Sequence, residues 1–313
     1  MLKKMQVVGT CALLLVAVGC KKKDDDSKNK KKPKVTKNTK PTVKPKDKPK
    51  DKPKDPPKKA EHQKGKTSLT MIFTVGKELV AEGDKLFASH AVWMKASHKR
   101  DGKLALLRYN VAKGDELKDA LNPGSKPTGK TSFTLNEVYE SPEGLADHWK
   151  TAPKGWKDFG AFIAWAKKAK IDVLHGSTVV HSLWDKKTGS QAGKTSLSFT
   201  FTVDDAGAAE ADKLFASHAE WMAKTHKKEG KLALLRYNVV KGKELSEALN
   251  PGSKPTGKTT FVLTEVYESP DGLMDHWKSA PKGWKDFGAF IAWAKKSKIG
   301  VLHGSPVVHS LWE

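Results

Sequence analysis

The 313-residue chain predicts an α+β protein made of two tandem strand-helix-strand-strand-helix-strand units, and three observations carry that prediction. First, residues 66–184 return as residues 194–312 at a constant offset of 128 without a gap, with 91 of 119 aligned positions identical. That offset has the size of a whole domain and exceeds the ~20–50-residue period of solenoid repeats. Second, each copy runs through period-two and helical hydrophobic patterns in the order of the ferredoxin-like split βαββαβ unit. Third, the sheet face turned away from the helices is partly apolar, and such a face needs a partner. The two copies are therefore expected to pack sheet to sheet as an intramolecular pseudo-dimer, a closed barrel within a monomer.

The elements of the first copy follow in order. Thr67 to Val75 alternates and reads as a strand. Leu79, Leu86, Phe87, His90, Ala91 and Met94 have helical spacing, giving a helix to about Arg100 that Gly102 stops. Leu104 to Val111 is a second strand, with Leu104 and Leu106 expected on the face of Arg108 and Asn110. The segment 113–129, with Asn122-Pro123-Gly124, reads as a loop. Lys130 to Glu140 is a third strand. Ser141-Pro142 caps a short helix bearing His148 and Trp149. Another helix covers Trp156 to Lys168, and Ile171 to Trp184 forms a last strand with a break at Gly176. Residues 185–193 link the copies, and 194–313 repeat the plan.

The N-terminus sets an expected location. Lys3 and Lys4 precede an apolar run, Val7 to Val18, long enough for a signal peptide and too short for a membrane span. It ends Ala17-Val18-Gly19-Cys20, which resembles a bacterial lipobox. The expectation is a signal peptide over 1–19, lipid on Cys20 and a membrane anchor in the cell envelope, with Lys21 favouring the outer membrane. Cys11 would leave with the signal peptide, so the mature chain would have no disulfide.

Residues 20–65 read as a disordered tether. From 21 to 65 there are 19 lysines and seven prolines, with three copies of Lys-Pro-Lys-Asp from Lys44 to Asp55. Such a segment cannot offset its ordering entropy. It holds +12 of the formal net charge of +23, so the basic pI is mainly a tail property. Two uses fit: attraction to anionic lipid or wall polymer, and a solvated spacer. No nucleic-acid motif is present, and no nucleic-acid partner is expected.

The candidate chemistry is polar and aromatic. Arg108 and Asn110 share a strand face, as do Glu137 and Tyr139; His175 and His181 lie six apart on one strand. If these faces line the barrel they enclose a cavity, with Trp156, Phe159 and Phe162 roofing its entrance. The second copy supplies Arg236, Asn238, Glu265, Tyr267, His303, His309 and Trp284. Histidine suits a base near neutrality, and arginine, asparagine and tyrosine suit holding an anion. The same groups also fit a buried polar interface without chemistry. His98 sits near a helix end, where the dipole favours a cation, and reads as structural. No His-x-Glu-His or cysteine ligand pattern occurs, so neither a metal nor a cofactor is expected.

Phe133 to Pro142 with Asp147-His148-Trp149, and Phe261 to Pro270 with Asp275-His276-Trp277, resemble the antibiotic biosynthesis monooxygenase domain of the dimeric α+β barrel superfamily. The resemblance covers nearly all of both copies. It implies cofactor-free oxygenation of a quinol or phenol, with His148, His276, Glu137, Glu265, Tyr139 and Tyr267 as catalytic candidates. The asparagine that the haem-degrading branch carries on its first strand is missing here, where Ser68, Leu69 and Thr70 stand. A non-catalytic, surface-tethered module for an aromatic ligand or a protein partner fits the same scaffold.

Overall fold

The computed structural model describes residues 63–185 and 189–311. The expected signal peptide, Cys20 and most of the basic segment lie outside the described residues. The first copy holds β1 (Thr67–Val75), a 3₁₀ turn (Lys77–Leu79), α1 (Val80–Ser97), β2 (Leu106–Leu117), β3 (Pro127–Tyr139), α2 (Pro142–Gly155), α3 (Phe159–Ala166) and β4 (Lys170–Asp185). The second holds β5 (Thr195–Val203), α4 (Asp205–Thr225), β6 (Leu234–Leu245), β7 (Pro255–Tyr267), α5 (Pro270–Gly283), α6 (Phe287–Ala294) and β8 (Lys298–Ser310).

The eight strands close into one antiparallel barrel in the order β1-β3-β2-β8-β5-β7-β6-β4. Closure is made by the last strand of each copy. The first part of β4 pairs with β1, then Gly176 takes φ 55° and the register to β1 shifts. A left-handed residue in a strand costs a side chain dearly and glycine little, which places the bend there. Beyond it, Thr178 to Asp185 pairs with β6 of the other copy. Gly304, φ 48°, bends β8 in the corresponding way, and Val307 to Ser310 beyond it pairs with β2. Edge pairing, rather than stacking of two open sheets, thus removes the free strand edges.

One strand face packs under the helices and the other lines the barrel. On β1, Leu69, Met71, Phe73 and Val75 join Leu86, Phe87, Met94, Phe133, Phe162 and Trp165 in a helix-side core. Phe87 stacks on Phe133 at 5.2 Å, and Trp165 lies edge-on to Phe87 at 5.6 Å. Each such buried aromatic adds roughly 1.5–3 kcal/mol. The second copy repeats this core around Phe201, Phe215, Phe261 and Trp293.

Three expectations need correction. Leu104 lies outside β2, and Leu106 joins the Tyr109 side, because the register to β3 shifts between Leu106 and Arg108. The barrel wall at Arg108 is therefore more polar than expected. Segment 113–129 is not a simple loop: β2 and β3 extend to pair Leu117 with Pro127. This arm reaches the other copy, where His303 Nε2 bonds the Ala120 carbonyl at 2.8 Å. Tertiary contact overrides the weak local strand signal there. Finally, the folded unit starts before Lys66. Gln63 is buried and its amide meets that of Asn238 at 2.6 Å, while Gln191 accepts from Asn110 Nδ2 at 2.5 Å.

Candidate functional site

The strongest concentration of chemistry in each copy lies between sheet and helices. α1 buries one stripe, Leu86, Phe87, His90, Ala91 and Met94, so it lowers an imidazole onto the sheet. α2 is started by Pro142, with Ser141 Oγ donating to the Lys103 carbonyl at 2.8 Å, and it buries His148 beside Leu145 and Ala152. β3 presents Glu137 and Tyr139 to the same space. Tyr139 donates its hydroxyl proton to Glu137 Oε2 at 2.6 Å, and Glu137 Oε1 is buried with no hydrogen-bond partner. His90 Nδ1 meets the Tyr109 hydroxyl at 3.0 Å, and His148 Nδ1 meets His98 Nε2 at 3.1 Å. The second copy repeats the arrangement with Tyr267 to Glu265 at 2.6 Å, His218 to Tyr237 at 3.1 Å and His226 to His276 at 3.1 Å.

Burial governs the protonation of these groups. Loss of solvent pushes Glu137 up to about 8, against which the Tyr139 hydrogen bond pulls. Glu265 is raised to about 7 for the same reason. Desolvation, with a neighbouring His98 charge as the lesser cause, lowers His90 to about 3. Burial lowers His98 to about 4 and holds His148 well below the usual range. At neutral pH the imidazoles are neutral and the Glu137 carboxyl largely keeps its proton.

A cavity with about 10 Å³ of free space adjoins the site, lined in part by His90, His148, Trp149, Trp156, Phe159 and Phe162. That is room for roughly one water molecule. Trp156, an expected roof residue, packs on His90 with centroids 4.6 Å apart, and Trp284 does the same on His218 at 4.6 Å.

The other expected residues do not join this cavity. Tyr109 stands opposite Glu137 in the β2–β3 register, so Arg108 and Asn110 point through the sheet into the barrel. The faces of Arg108 with Asn110 and of Glu137 with Tyr139, expected to line one cavity, therefore lie on opposite sides of the sheet. Inside the barrel Arg236 Nη2 donates to Asn136 Oδ1 at 2.6 Å, and Asn136 Nδ2 donates to Thr70 Oγ1 at 2.7 Å. Asn110 and Asn238 are engaged by Gln191 and Gln63. The bend at Gly176 and a second register shift between Val179 and His181 break the face that His175 and His181 were expected to share. His175 packs on Trp149 at 5.5 Å and bonds the Ala248 carbonyl at 2.8 Å; His303 packs on Trp277 at 5.8 Å. His181 and His309 are half-buried.

Sequence reasoning passed over His90, Tyr109 and Asn136 as site members and set His98 aside. The legible signal was His90, a titratable ring on an otherwise apolar helix stripe. Nothing local marks Asn136.

No protein-family model matches the chain, and no curated protein matches its sequence. Solved structures do resemble it. An anthrone oxidase-like protein is 13% identical, with TM-score 0.50 over 79% of this chain and 93% of that one. A candidate monooxygenase from Fusobacterium nucleatum subsp. nucleatum is 15% identical, with TM-score 0.51 over 79% of this chain and 94% of its own. The chain shares the α+β barrel fold of these two proteins. At such identities the likeness concerns the fold alone. The matched share, 79% of 313 residues, is about 247 residues, the length of both repeats together.

Proposed function

We propose that each repeat is a ferredoxin-like unit of the antibiotic biosynthesis monooxygenase type. On this reading the pair forms an intramolecular counterpart of a dimeric barrel that oxidises a quinol or phenolic compound with O₂. The observation that carries the reading is the buried Glu137–Tyr139 pair beside His148, repeated as Glu265–Tyr267 beside His276, in a fold shared with monooxygenase-like proteins. Oxygenation without a cofactor starts by removing a phenolic proton, which raises electron density towards O₂. A carboxyl held at about 8 is a better match to a phenol than an ordinary carboxylate. Tyr139 and the neutral imidazoles then serve as hydrogen-bonding groups around the anion. Substrate entry requires the aromatic wall of α2 and α3 to move, since the cavity admits only about 10 Å³.

The proposal extends to location. A signal peptide ending before Cys20, lipid on that cysteine and the lysine-rich segment would place the barrel on a tether in the cell envelope, with the outer membrane preferred. The tether would serve as a spacer or as a contact for anionic lipid or wall polymer.

Oxygen uptake with a menadiol-type quinol tests the reaction. The wild type should consume O₂, and Glu137→Gln/Glu265→Gln should lower the rate about 10²–10⁴-fold. His148→Ala/His276→Ala should also lower it while the tryptophan fluorescence of the fold persists. A wild type inert towards every phenol tried would remove the reading. The alternative is a non-catalytic module for an aromatic ligand or protein partner, and the small cavity favours its protein-partner form. Saturable tryptophan quenching without product would support that alternative.

A further inference from the structure

In each copy three buried side chains, two imidazoles and one carboxyl, bring ligand-capable atoms close together. In the first copy they are His90, Glu137 and His148; in the second, His218, Glu265 and His276. One ligand-capable atom of each lies within 4.8 Å of the other two, and all six residues are buried.

The hydrogen bonds fix which atoms remain. Ser97 Oγ donates to the Trp93 carbonyl at 2.7 Å, so it accepts from His98 Nδ1 at 3.0 Å. His98 Nε2 is then bare and accepts from His148 Nδ1 at 3.1 Å. His148 Nε2 is thereby left as a lone pair. In the second copy Thr225 replaces Ser97, yet its hydroxyl makes the same two contacts, to the Trp221 carbonyl at 2.8 Å and to His226 Nδ1 at 3.1 Å. On His90, the tautomer that donates from Nδ1 to the Tyr109 hydroxyl leaves Nε2 as a lone pair, and this is the form a metal ligand requires. On Glu137, Tyr139 engages Oε2, and Oε1 is buried without a partner; Glu265 Oε1 is in the same position. His90 and His148 both line the water-sized cavity.

An unpartnered buried carboxyl oxygen costs about 1–3 kcal/mol and calls for an explanation, and a metal binding there would displace the carboxyl proton. Outer hydrogen bonds that set the tautomer and orientation of each imidazole are what ligating histidines normally have. Two imidazoles and one carboxylate are a donor set suited to a first-row divalent metal.

We propose that each repeat binds one divalent transition-metal ion through His90, Glu137 and His148, and through His218, Glu265 and His276 in the second copy. Tyr109, Tyr139, His98 and Ser97 act as positioning residues that hold the ligands in place. The site uses the same carboxylate as the reaction proposed above but stands without that reaction, because occupancy is read independently of turnover.

Titrating the metal-free full-length chain with Co²⁺ near neutral pH tests this, using equilibrium dialysis and visible ligand-field absorption. Two equivalents should bind with the spectrum of mixed nitrogen and oxygen donors, one per ligand set. Glu137→Gln should lose one equivalent, and Glu137→Gln/Glu265→Gln both. Less than one equivalent on the wild type, or both retained by the double variant, would overturn the site; the metal would then sit elsewhere, such as on half-buried His181 or His309. Should the double variant fail to fold, X-ray absorption of the wild-type Co²⁺ complex decides. Two imidazoles with oxygen donors support the assignment, and an oxygen-only shell sinks it. Metal bound by a protein that consumes no O₂ supports the site and removes only the reaction.

Discussion

Asp172 and Gly300 occupy equivalent positions in the two repeats and meet each other inside the barrel. A Cβ placed on Gly300 would lie 2.6 Å from Asp172 Cβ and 2.6 Å from its Oδ2. Only one of the two positions can carry a side chain there. Asp172, 5% exposed, uses the room to face Lys170 Nζ at 3.4 Å and Lys298 Nζ at 3.7 Å, one lysine from each repeat. Asn136 and Thr264 also sit at equivalent positions and meet, 3.5 Å apart. At these two positions the repeats differ in sequence where they touch each other.

This contact sets the first expectation. Gly300→Ala should destabilise by about 1–3 kcal/mol through overpacking. Gly300→Asp should cost more, because it also faces two carboxylates in a buried site. Adding Asp172→Gly should recover part of the loss, the rest remaining because a side chain at 300 also meets Thr200 Oγ1. Urea unfolding of the four proteins measures this; equal stabilities would contradict the packing.

Tyr139→Phe removes the hydroxyl that donates to Glu137. The hydrogen bond lowers the carboxyl against the larger effect of burial, so its loss should raise that group further above about 8. Stability should fall by about 1–3 kcal/mol, since a second carboxyl oxygen loses its partner. If Glu137 takes the substrate proton, the alkaline rise in oxygen uptake should move to higher pH in Tyr139→Phe/Tyr267→Phe. A pH-rate profile reads both position and height.

Stability of the chelator-treated protein should peak near neutral pH. Glu137 and Glu265 are raised from 4.5 to about 8 and about 7, so the folded state holds protons that the unfolded state has released. Their contribution falls as pH rises from 4.5 through 8. His90 and His218 are lowered from 6.5 to about 3, His98 and His226 to about 4, and His148 and His276 well below 6.5. For these six the unfolded state binds protons first, so stability falls as pH drops from 6.5 towards 3. Below pH 6.5 the imidazoles, with His175, His181, His303 and His309 also lowered by burial, outweigh the two carboxyls, and well above it the carboxyls decide the sign. Thermal unfolding across this range checks the sign on each side.

His175 and His303 tie each long hairpin to the opposite repeat through the carbonyls of Ala248 and Ala120, both at 2.8 Å. His175→Ala and His303→Ala should each cost about 0.5–1.5 kcal/mol. Protease cleavage within 118–126 should quicken for His303→Ala, and within 246–254 for His175→Ala, while metal binding by the buried triads is unchanged. Limited proteolysis with Co²⁺ dialysis would reveal a ligand role instead if metal were lost.

How much of this was legible in the sequence differs by level. The strand on either side of Phe133 could be read from alternation, and the helix carrying His90 from its spacing, because burial of one face imposes those periods. The side to which Glu137 or Arg108 points could not be read. Both faces of these strands are buried, so alternation separates the two sets without saying which one meets the helices. A register shift at Leu106, and a glycine bend at Gly176, then moved individual residues between faces. His98 looked like a helix-end charge because its partner, His148, is 50 positions away.

The sequence by itself determined the duplication, the order of elements in each copy and the stock of imidazole, carboxylate and phenol groups. These follow from identity at a constant offset and from local hydrophobic periods, which need no knowledge of distant chain. Only the tertiary structure decided that β4 and β8 cross over to close the barrel. It also divided the arginines from the glutamates by a sheet, and brought His90, Glu137 and His148 within reach of one another. Those outcomes depend on long-range pairing and on which groups lose their water together, and neither is encoded within any one segment.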